Sequence, residues 1–428
     1  MRVDKSVCII GLGYVGLTLA IALVKRGVRV YGVEQNMKIL QKLGLGHAHF
    51  KETGIDEELR SSLKNGLFTL HREYPEKVMD FCIITVGTPL DENHEVHFSS
   101  LEKAINGIPY VTNPDEFTLI LRSTVAVGTT KALLPSLDQR NIKNVCFAPE
   151  RTIEGNALEE LYNLPQIIGA SNTTAMTNSK ELFKILTDNI VEVSSIEIAE
   201  LAKLFNNTYR DINFAIGNYF SLIAQQFGAD GLEAIQAANK DYKRGGIPMP
   251  GFVGGPCLEK DPHILSFRKY SENTFDLLTE YNFTKLGREF NEQLVPSFSN
   301  MLKTKTKGKK VLLTGVAFKG RPATSDLRGS MSIKLMRQLL LHGDDISLHD
   351  FEAFDEEVFS ETGRRLVPLP ETPNKSMVLL ICNNHQKYSD LSTDYLNTFD
   401  MVIDIQGALT ENQKSRLTSL VTFGSIGL

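Results

Sequence analysis

Residues 251–261, which read GFVGGPCLEKD, combine side chains that can carry covalent chemistry. Cys257 follows a pair of glycines, and Lys260 and Asp261 lie three and four residues after it. Glycine lets the backbone adopt positive φ values and approach a ligand closely. A thiol on such a turn, beside a cation and a carboxylate, can be ionised and can reach a substrate. The alternative is a buried structural cysteine, and the rest of the chain decides between the two.

The other four cysteines lie in short apolar runs, which predicts small hydrophobic residues in buried strands. They are Cys8, Cys82, Cys146 and Cys382. The cysteines are widely spaced and form no paired-thiol motif. This pattern indicates a reducing cytoplasm and argues against a cysteine-rich zinc site, so we expect no metal. Cys257 is the exception, and we interpret it as a candidate nucleophile.

Composition restricts the class of partner. The chain has 428 residues, of which 42% are hydrophobic and 23% charged, enough for more than one core. A formal net charge of −5 argues against binding to nucleic acid or to a membrane surface. The apolar stretch near the N-terminus is short and interrupted by glycine, so we expect neither a signal peptide nor a membrane span.

A glycine-rich turn at residues 11–16 (GLGYVG) joins a strand-like run to a helical stretch. Gly11 permits the tight turn, Gly13 lets a pyrophosphate approach the backbone, and Gly16 allows the helix to pack closely on the strand. The next strand-like run ends in Glu34, at the spacing expected for a carboxylate that accepts a ribose 2′-OH hydrogen bond. Since a carboxylate repels a 2′-phosphate, the sequence predicts NAD rather than NADP.

Three further segments place polar residues where a site of an open α/β sheet collects. Residues 122–125 (RSTV) end one strand-like run, and Glu150 and Glu154 follow another, where carboxylates can shuttle protons. Lys203 and Asn207 are four residues apart and share one helix face. Taken separately, a solvated acidic loop and a surface pair are the alternatives.

The chain divides into three parts by periodicity. Up to residue 195, and again after residue 310, strand-like runs alternate with helical stretches, which predicts parallel sheets flanked by helices. Between them, apolar residues recur at three- and four-residue spacing. Residues 303–310 (KTKTKGKK) have the composition of a linker or domain edge. We predict an α/β fold in which two Rossmann-like, doubly wound parallel-sheet domains, 1–195 and 303–428, are joined by a central all-helical domain, 196–302.

These motifs together resemble the UDP-glucose/GDP-mannose dehydrogenase superfamily, over nearly the whole chain. The motifs are GLGYVG (11–16), VGTP (86–89), STVAVGTT (123–130), APERTIEGNALEEL (148–161), KLFNNTYRDINFA (203–215), GFVGGPCLEKDP (251–262) and GVAFKGRPATSDLRGS (315–330). The resemblance implies oxidation of a primary alcohol at sugar C6 to a carboxylate with two NAD per product, feeding surface polysaccharide synthesis. It also implies that the C-terminal domain binds UDP and that the central domain carries a homodimer interface.

The resemblance implies a role for each candidate catalytic residue. Cys257 forms a thiohemiacetal and then a thioester, because a free aldehyde lacks the alkoxide that expels the second hydride. Lys203 stabilises the oxyanion, and Asn207 holds the same oxygen or an ordered water. Asp261 takes part in proton transfer and Glu154 aids hydrolysis. Thr124 and Glu150 support the water network.

The same resemblance implies two sets of binding residues. The expected cofactor contacts are Gly11, Gly13, Tyr14, Val15, Gly16, Glu34, Thr88, Thr124 and Lys260. The expected UDP-sugar contacts are Glu150, Arg151, Lys203, Asn207, Arg210, Arg244, Gly254, Phe318 and Lys319, with Asp326 and Arg328 in the element that faces the nucleotide.

The text NNTYRDINFAIGN resembles the UDP-N-acetylhexosamine branch, N-acetylmannosamine or N-acetylglucosamine, more than the UDP-glucose branch. Arg210 and Asn213, three residues apart, are the candidate lining for an acetamido group. The chain departs from the family pattern at the Pro-Gly-Phe approach to the cysteine turn. It also departs at Gln406, where an arginine is frequent, and at Gly329, where a glutamate is common.

Several alternatives stay open. UDP-glucose is the competing substrate. A two-electron hydroxyacid dehydrogenase of the 6-phosphogluconate type also has a lysine–asparagine pair, but it needs neither Cys257 nor the block after residue 310. A nucleotide-sugar sensor without activity is the non-enzyme reading, and intact Lys203, Cys257 and Asp261 count against it.

Overall fold

The computed structural model describes residues 5–77, 79–91, 96–266, 281–373 and 375–425. They divide into two compact units, one up to residue 206 and one from residue 207 onward. The α/β fold class is confirmed, with two sheet-containing domains and a central helical region. The three-domain boundaries stay a prediction.

The first unit contains an eight-stranded sheet in the order β3-β2-β1-β4-β5-β6-β7-β8. Its strands are β1 (Ser6–Ile10), β2 (Arg29–Val33), β3 (Phe68–His71), β4 (Phe81–Ile84), β5 (Thr118–Leu121), β6 (Asn144–Phe147), β7 (Gln166–Ala170) and β8 (Ile190–Val193). All neighbouring pairs are parallel except β6 and β7. The strand order reverses at β1, the position where open α/β sheets form a ligand crevice.

Helices connect these strands. They are α1 (Tyr14–Lys25), α2 (Met37–Gly44), α3 (Ile55–Lys64), α4 (Ser99–Asn106), α5 (Thr129–Asp138), α6 (Ala157–Asn163) and α7 (Thr173–Phe183). Asn36 and Asn172 cap α2 and α7, because each side-chain oxygen accepts a hydrogen bond from a first-turn backbone N–H. Helix α8 (Ile196–Gln226) begins in the first unit and continues into the second.

The second unit contains a five-stranded parallel sheet in the order β10-β9-β11-β12-β13. Its strands are β9 (Lys310–Thr314), β10 (Asp345–His349), β11 (Met377–Ile381), β12 (Met401–Asp404) and β13 (Leu420–Thr422). Its helices after α8 are α9 (Gly231–Asn239), α10 (Asp261–Ser266), α11 (Phe283–Thr306), α12 (Met331–Leu341), α13 (Asp355–Thr362), α14 (Thr393–Leu396) and α15 (Glu411–Arg416).

Each sheet is covered on both faces, as its apolar strands predict. On β1, Val7 and Ile9 belong to one core cluster, whereas Cys8 and Ile10 belong to another on the opposite face. The four cysteines predicted in strands are buried, and Cys257 is exposed. The burial expected of the four cysteines is therefore confirmed. Cys257 has the exposure that a nucleophile needs, and its catalytic role stays a prediction.

The structure differs from the sequence prediction in two local respects. Of the two alternatives for residues 303–310, a linker or a domain edge, the structure does not support an extended linker, because α11 continues to Thr306 and β9 begins at Lys310. Strands β3, β7, β8 and β13 were absent from the predicted set. Strands β3, β8 and β13 are short and partly exposed, whereas β7 has five residues and is mostly buried. In the described part of the chain, no helix has the length and apolarity needed to cross a membrane.

Candidate active site

The glycine-rich turn has the geometry that a dinucleotide needs. Gly11 has φ +94°, a value that side chains with a Cβ rarely adopt. At Gly16, a Cβ would lie 1.9 Å from the carbonyl oxygen of Gly11, so only glycine lets α1 approach the turn. At Gly13, a Cβ would meet nothing within 4 Å. Open space thus lies beside Gly13 at the N-terminus of α1, where backbone N–H groups favour a phosphate.

Glu34 lies beside this turn at the end of β2. Its Oε2 accepts a hydrogen bond from the Leu12 backbone N–H at 3.0 Å, and its Oε1 accepts one from the Asn36 N–H at 2.9 Å. A cavity of about 310 Å³ is lined by Gly11, Gly13 and Glu34. The residues predicted for the cofactor therefore fit a dinucleotide, because an open phosphate cradle and a ribose acceptor share one cavity. Sequence reasoning missed Ser100 and Lys103 of α4, which also line it.

The other predicted cofactor residues are distributed around the same unit. Val15 lies in the first turn of α1, and the Thr88 hydroxyl donates to the Thr124 carbonyl oxygen at 2.5 Å. Tyr14 donates its hydroxyl to Glu52, and both accept a hydrogen bond from the Gly155 N–H at 2.8 Å. Burial and the Glu52 hydrogen bond raise the pKa of Tyr14, so its hydroxyl stays protonated. This contact joins the cofactor turn to the loop that carries Glu154.

Glu150 is held as a buried carboxylate. Arg122 donates to Glu150 Oε2 from Nε at 3.1 Å and from Nη2 at 2.6 Å. Glu150 Oε1 accepts hydrogen bonds from the backbone N–H groups of Arg151 and Thr152. Burial by itself would raise the pKa of Glu150, but the Arg122 charge and the Thr152 hydrogen bond outweigh it, and the pKa falls below its usual value. Glu150 is therefore ionised and fixed, which suits an orienting role better than proton shuttling.

Four other predicted residues lie in the first unit. Lys203 is buried on α8 and close enough to Glu150 for its charge to help lower the pKa of that carboxyl. Thr124 and Glu154 are half-buried, on the loops after β5 and β6. Arg151 is half-buried and donates to the Pro165 carbonyl oxygen. Burial lowers its pKa from the usual arginine value.

In the second unit, the Cys257 turn is fastened by its own backbone. The Asp261 N–H donates to the Cys257 carbonyl oxygen at 2.9 Å, and the Glu259 N–H donates to the Gly255 carbonyl oxygen at 3.1 Å. Gly255 has φ +97°, and a Cβ there would lie 2.6 Å from the Phe318 ring. The glycine is required by both conformation and space. This arrangement presents an exposed thiol on a constrained turn.

Asn207 and Asp261 meet in the interior of the second unit. The Asn207 Nδ2 donates to Asp261 Oδ2 at 2.6 Å, and Asp261 is fully buried. Among the described residues, Asp261 Oδ1 has no hydrogen-bond partner. A buried carboxylate oxygen without a protein partner can accept a hydrogen bond from a water or a substrate hydroxyl. The pair thus has capacity for proton transfer four residues from the thiol.

The three departures from the family pattern all pack near the cysteine turn. A Cβ at Gly251 would lie 2.2 Å from Gln406 Oε1, and the Gln406 Nε2 donates to the Phe252 carbonyl oxygen at 3.0 Å. Gly329 has φ +62° and accepts a hydrogen bond from the Gly255 N–H at 3.0 Å. A Cβ there would lie 2.4 Å from Glu259 Oε2, so a larger residue would require the Glu259 side chain to move and would be strained at this φ. In this chain Gln406 braces the approach to the turn.

The remaining predicted residues lie closer to the surface. Lys260 and Gly254 are half-buried within the turn. The Lys319 ammonium lies 5.5 Å from the Phe318 ring centroid, and both side chains are half-buried. Arg244 is exposed and donates to the Tyr242 hydroxyl at 3.1 Å.

Three residues predicted to recognise the substrate are either exposed to solvent or bonded to a neighbour close in sequence. Arg210 is exposed on α8. Asn213 Nδ2 donates to the Tyr209 carbonyl oxygen at 2.6 Å, within its own helix. Arg328 forms an ion pair with Asp326, with its Nε 2.9 Å from Oδ2. The substrate roles assigned to these side chains stay predictions.

The structure therefore groups the predicted residues by unit. The predicted cofactor residues other than Lys260 belong to the first unit, together with Glu150, Glu154 and Lys203. Lys260 belongs to the second unit, together with Asn207, Cys257, Asp261 and the residues from Phe318 onward. Sequence reasoning named Arg122 without a role and missed Glu52 altogether. Both make contacts to residues distant in sequence, which no local pattern reports. The described residues contain no cluster of side chains that could hold a metal ion.

Three family models match successive parts of the chain. The NAD binding domain of the UDP-glucose/GDP-mannose dehydrogenase family matches residues 5–187, its central domain residues 197–293, and its UDP binding domain residues 312–411. The matches cover the glycine-rich turn, Lys203 and Asn207 on α8, and the second sheet except for β13.

Individual proteins agree with these matches. UDP-N-acetyl-D-mannosamine dehydrogenase of Methanocaldococcus jannaschii is 30% identical over 92% of this chain and 88% of its own length. The structure of UDP-D-ManNAc dehydrogenase from Pyrococcus horikoshii superposes with a TM-score of 0.85 at 26% identity, covering 99% of this chain and 100% of that one. A UDP-glucose dehydrogenase structure from Pyrobaculum islandicum has a TM-score of 0.82 at 23% identity, covering 99% and 98%, and shows the shared fold alone.

Proposed function

The chain belongs to the UDP-glucose/GDP-mannose dehydrogenase family and is an NAD-dependent nucleotide-sugar dehydrogenase, and we propose that it oxidises C6 of a UDP-N-acetylhexosamine to the carboxylate. The observation that carries this proposal is the exposed thiol of Cys257 on a glycine-constrained turn, four residues from a buried carboxylate bonded to Asn207. Such a turn supplies the nucleophile that a second oxidation needs.

Bound NAD supplies the hydride acceptor for both oxidations, and Gly11, Gly13, Gly16 and Glu34 would hold it. The turn at Gly13 would contact the pyrophosphate, and Glu34 would accept a hydrogen bond from the ribose. Both Glu34 oxygens already accept one backbone N–H each, so each keeps one lone pair for a hydroxyl.

Cys257 acts at the aldehyde level of the substrate. Its thiolate attacks the C6 carbonyl carbon, so that a C–S bond forms and the carbonyl oxygen becomes an oxyanion. Loss of hydride from C6 gives a thioester. Water then attacks the thioester carbon, the C–S bond breaks, and a carboxylate and the free thiol result. Lys203 supplies positive charge for the oxyanion, and Asn207 donates a hydrogen bond to it or to the attacking water.

The three carboxylates of the site have different roles in the proposed mechanism. Asp261 Oδ1 is buried and can accept a hydrogen bond from water, so it takes the proton from the attacking water. Glu150 keeps its charge through Arg122 and orients the loop after β6. We assign assistance in hydrolysis to Glu154 on that loop, and support of the water network to Thr124.

The substrate branch is supported by the names of the relatives, several of which are UDP-N-acetyl-D-mannosamine dehydrogenases. An acetamido group buried in the site needs polar partners, because an unsatisfied amide costs about 1–3 kcal/mol. A pocket built for it rejects UDP-glucose by about tenfold or more on that scale. The product is a sugar acid, which would serve in the synthesis of a surface polysaccharide.

We further propose that two copies associate along α8. Aromatic and aliphatic side chains are exposed along this helix and at the residue that follows it, at spacings of three, four and seven residues. They form an outward apolar stripe: Tyr209, Ile216, Tyr219, Ile223 and Phe227. Tyr209 and Phe227 are 70% and 83% exposed. Exposed apolar stripes of this kind are typical of protein interfaces, and a second copy offers a matching stripe.

The test is NADH release measured with UDP-N-acetylmannosamine, UDP-N-acetylglucosamine and UDP-glucose, with sugar consumption followed in parallel. We expect two NADH per sugar and the highest kcat/KM for an N-acetylated substrate. The highest kcat/KM for UDP-glucose would overturn the branch while leaving the four-electron chemistry intact. One NADH per sugar would instead favour a two-electron dehydrogenase.

A further inference from the structure

Arg288, on α11, is fully buried and lies outside every motif that predicted the site. We propose that Arg288 is a positioning residue for Cys257, holding the backbone on both sides of the thiol. The proposal rests on the proposed function, because the step that needs an accurately placed thiol is the second oxidation.

The contacts of Arg288 bracket the cysteine turn. Its Nη1 donates to the Leu258 carbonyl oxygen at 3.0 Å, and its Nη2 donates to the Val253 carbonyl oxygen at 3.2 Å. Val253 precedes Cys257 by four residues, and Leu258 follows it directly. A planar guanidinium fixes the distance between the two carbonyls, because its donors form a rigid fork.

A second set of contacts fixes Arg288 itself. The same Nη1 donates to Asp211 Oδ1 at 2.8 Å, and the Arg288 Nε lies 3.2 Å from Glu292 Oε1. Asn291 Nδ2 donates to Asp211 Oδ1 and to the Asp211 carbonyl oxygen, each at 3.0 Å. Both Arg288 and Asp211 are 0% exposed. Solvent therefore cannot replace the contact between Arg288 and Asp211, and this buried contact restricts the orientation of the guanidinium.

We call Arg288 and Asp211, with the two turn carbonyls that Arg288 contacts, the clamp. Helix α8 carries both Asp211 of the clamp and Asn207 of the predicted catalytic pair. Asp211 lies one turn after Asn207, so the two side chains share one face of α8. Asn207 holds Asp261, at the end of the cysteine turn, while Asp211 holds the arginine that grips the turn around Cys257. The thiol thus sits between two anchors that start from the same helix face.

Comparing the rates of the two oxidations distinguishes a loss of thiol positioning from a general loss of stability. The first, from alcohol to aldehyde, forms no bond to sulfur, whereas the second requires Cys257 Sγ at the carbonyl carbon. A displacement of about 1 Å in a reacting group can cost on the order of 100-fold in rate. Loss of the clamp should therefore slow the second oxidation selectively and release aldehyde.

The experiment compares Arg288→Lys and Asp211→Asn with Ser299→Ala in the full-length protein. Lysine keeps the charge but cannot grip both carbonyls, and asparagine keeps the shape of Asp211 without its charge. Ser299 is a matched control, because it is buried on the same helix and its hydroxyl lies 3.4 Å from His342 Nδ1 instead of on the turn. The readouts are NADH per sugar consumed, with a hydroxylamine trap for aldehyde, and hydrogen exchange of the amides at 259–261.

We expect both clamp variants to move from two NADH per sugar toward one, with trapped aldehyde and faster exchange at 259–261. Ser299→Ala should keep the wild-type ratio and exchange even where it lowers Tm. Unchanged exchange and an unchanged ratio in folded Asp211→Asn and Arg288→Lys would overturn the proposal. If Arg288→Lys does not fold, Asp211→Asn alone decides. Wild type releasing one NADH would instead overturn the proposed function, and exchange at the turn would still test the clamp.

Discussion

Replacement of Glu34 by alanine tests the cofactor site most directly. Glu34 already accepts hydrogen bonds from the N–H groups of Leu12 and Asn36, and its free lone pairs face a cavity of about 310 Å³. A hydrogen bond to a charged acceptor contributes about 1.5–3 kcal/mol. Since each 1.4 kcal/mol is a factor of ten, loss of one ribose bond should lower kcat/KM for NAD by about 10- to 100-fold.

NADP should respond in the opposite sense. The Glu34 carboxylate repels a 2′-phosphate, so Glu34→Ala removes an unfavourable interaction and kcat/KM for NADP should hold or rise. The NAD-to-NADP preference should therefore narrow by at least the loss seen with NAD. Glu34→Gln keeps the shape and removes the charge, so it isolates the repulsion.

The assay is kcat/KM for both cofactors at saturating UDP-sugar, with Tm recorded for each variant because the Leu12 N–H loses its acceptor in Glu34→Ala. Glu73→Ala is the control, since Glu73 is an exposed carboxylate of the same unit outside the cavity. Equal use of NAD and NADP by wild type, or a wild-type preference in folded Glu34→Ala, would refute the assignment of Glu34 to the ribose.

Three further outcomes are expected. Cys257→Ser should keep the fold and NAD binding but fail to complete turnover, because a serine hydroxyl is a much weaker nucleophile than a thiolate. Sugar acid formed by this variant at the wild-type rate would remove Cys257 from the mechanism. Light scattering should give about twice the 47.7 kDa chain mass, with Tyr219→Asp shifting it toward the monomer; a monomeric wild type at micromolar concentration would contradict the stripe assignment. Glu150→Gln should cost about 3–5 kcal/mol at pH 7, because Arg122 is left buried without an anion. The lowered pKa of Glu150 gives stability that is present above its unfolded pKa of about 4.3 and is lost as pH falls through the folded value. The free energy of unfolding of wild type should therefore fall more between pH 5 and pH 3 than that of Glu150→Gln, and equal slopes in urea titrations would argue against the pair.

Local patterns were sufficient wherever one short segment sets its own geometry. The turn at Gly11 and Gly16 follows from strand, glycine spacing and helix in direct succession, and the positive φ of Gly11 confirms the reason for glycine there. Apolar runs around the four buried cysteines likewise predict their strands. Sequence also placed Asn207 and Lys203 on one helix, because i,i+4 spacing is a local property.

Long-range contacts were beyond local reasoning. Arg122 and Glu150 are 28 residues apart, and Arg288 and Asp211 are 77 apart. In sequence Arg288 stands among charged neighbours on a helix and is indistinguishable from a surface residue. Glu150 looked like a possible proton carrier on an acidic loop until its two oxygens were found to be occupied. Only the folded packing reveals which charges are neutralised.

Strand prediction failed for a related reason. β8 is an edge strand with exposed residues at its centre, whereas β7 is mostly buried between β6 and β8 and pairs antiparallel with β6. Edge strands bury fewer side chains, so their apolar signal is weak. The polar, basic sequence of residues 303–310 could not distinguish a linker from a domain edge, because a helix end and a strand start can both be lysine-rich when they face solvent.

Because four of the five cysteines are buried and Cys257 is exposed, a thiol reagent can measure Cys257 selectively in the native protein. Burial raises the pKa of Cys146 to about 12 and that of Cys82 and Cys382 above the usual range, so these sulfurs are both inaccessible and protonated at neutral pH. A chromogenic disulfide added to the native protein should release one equivalent of dye per chain, from Cys257, and five after denaturation. On the proposed mechanism, that single equivalent would count active sites, and an electrophile tethered to a UDP-sugar would find one exposed thiol to modify.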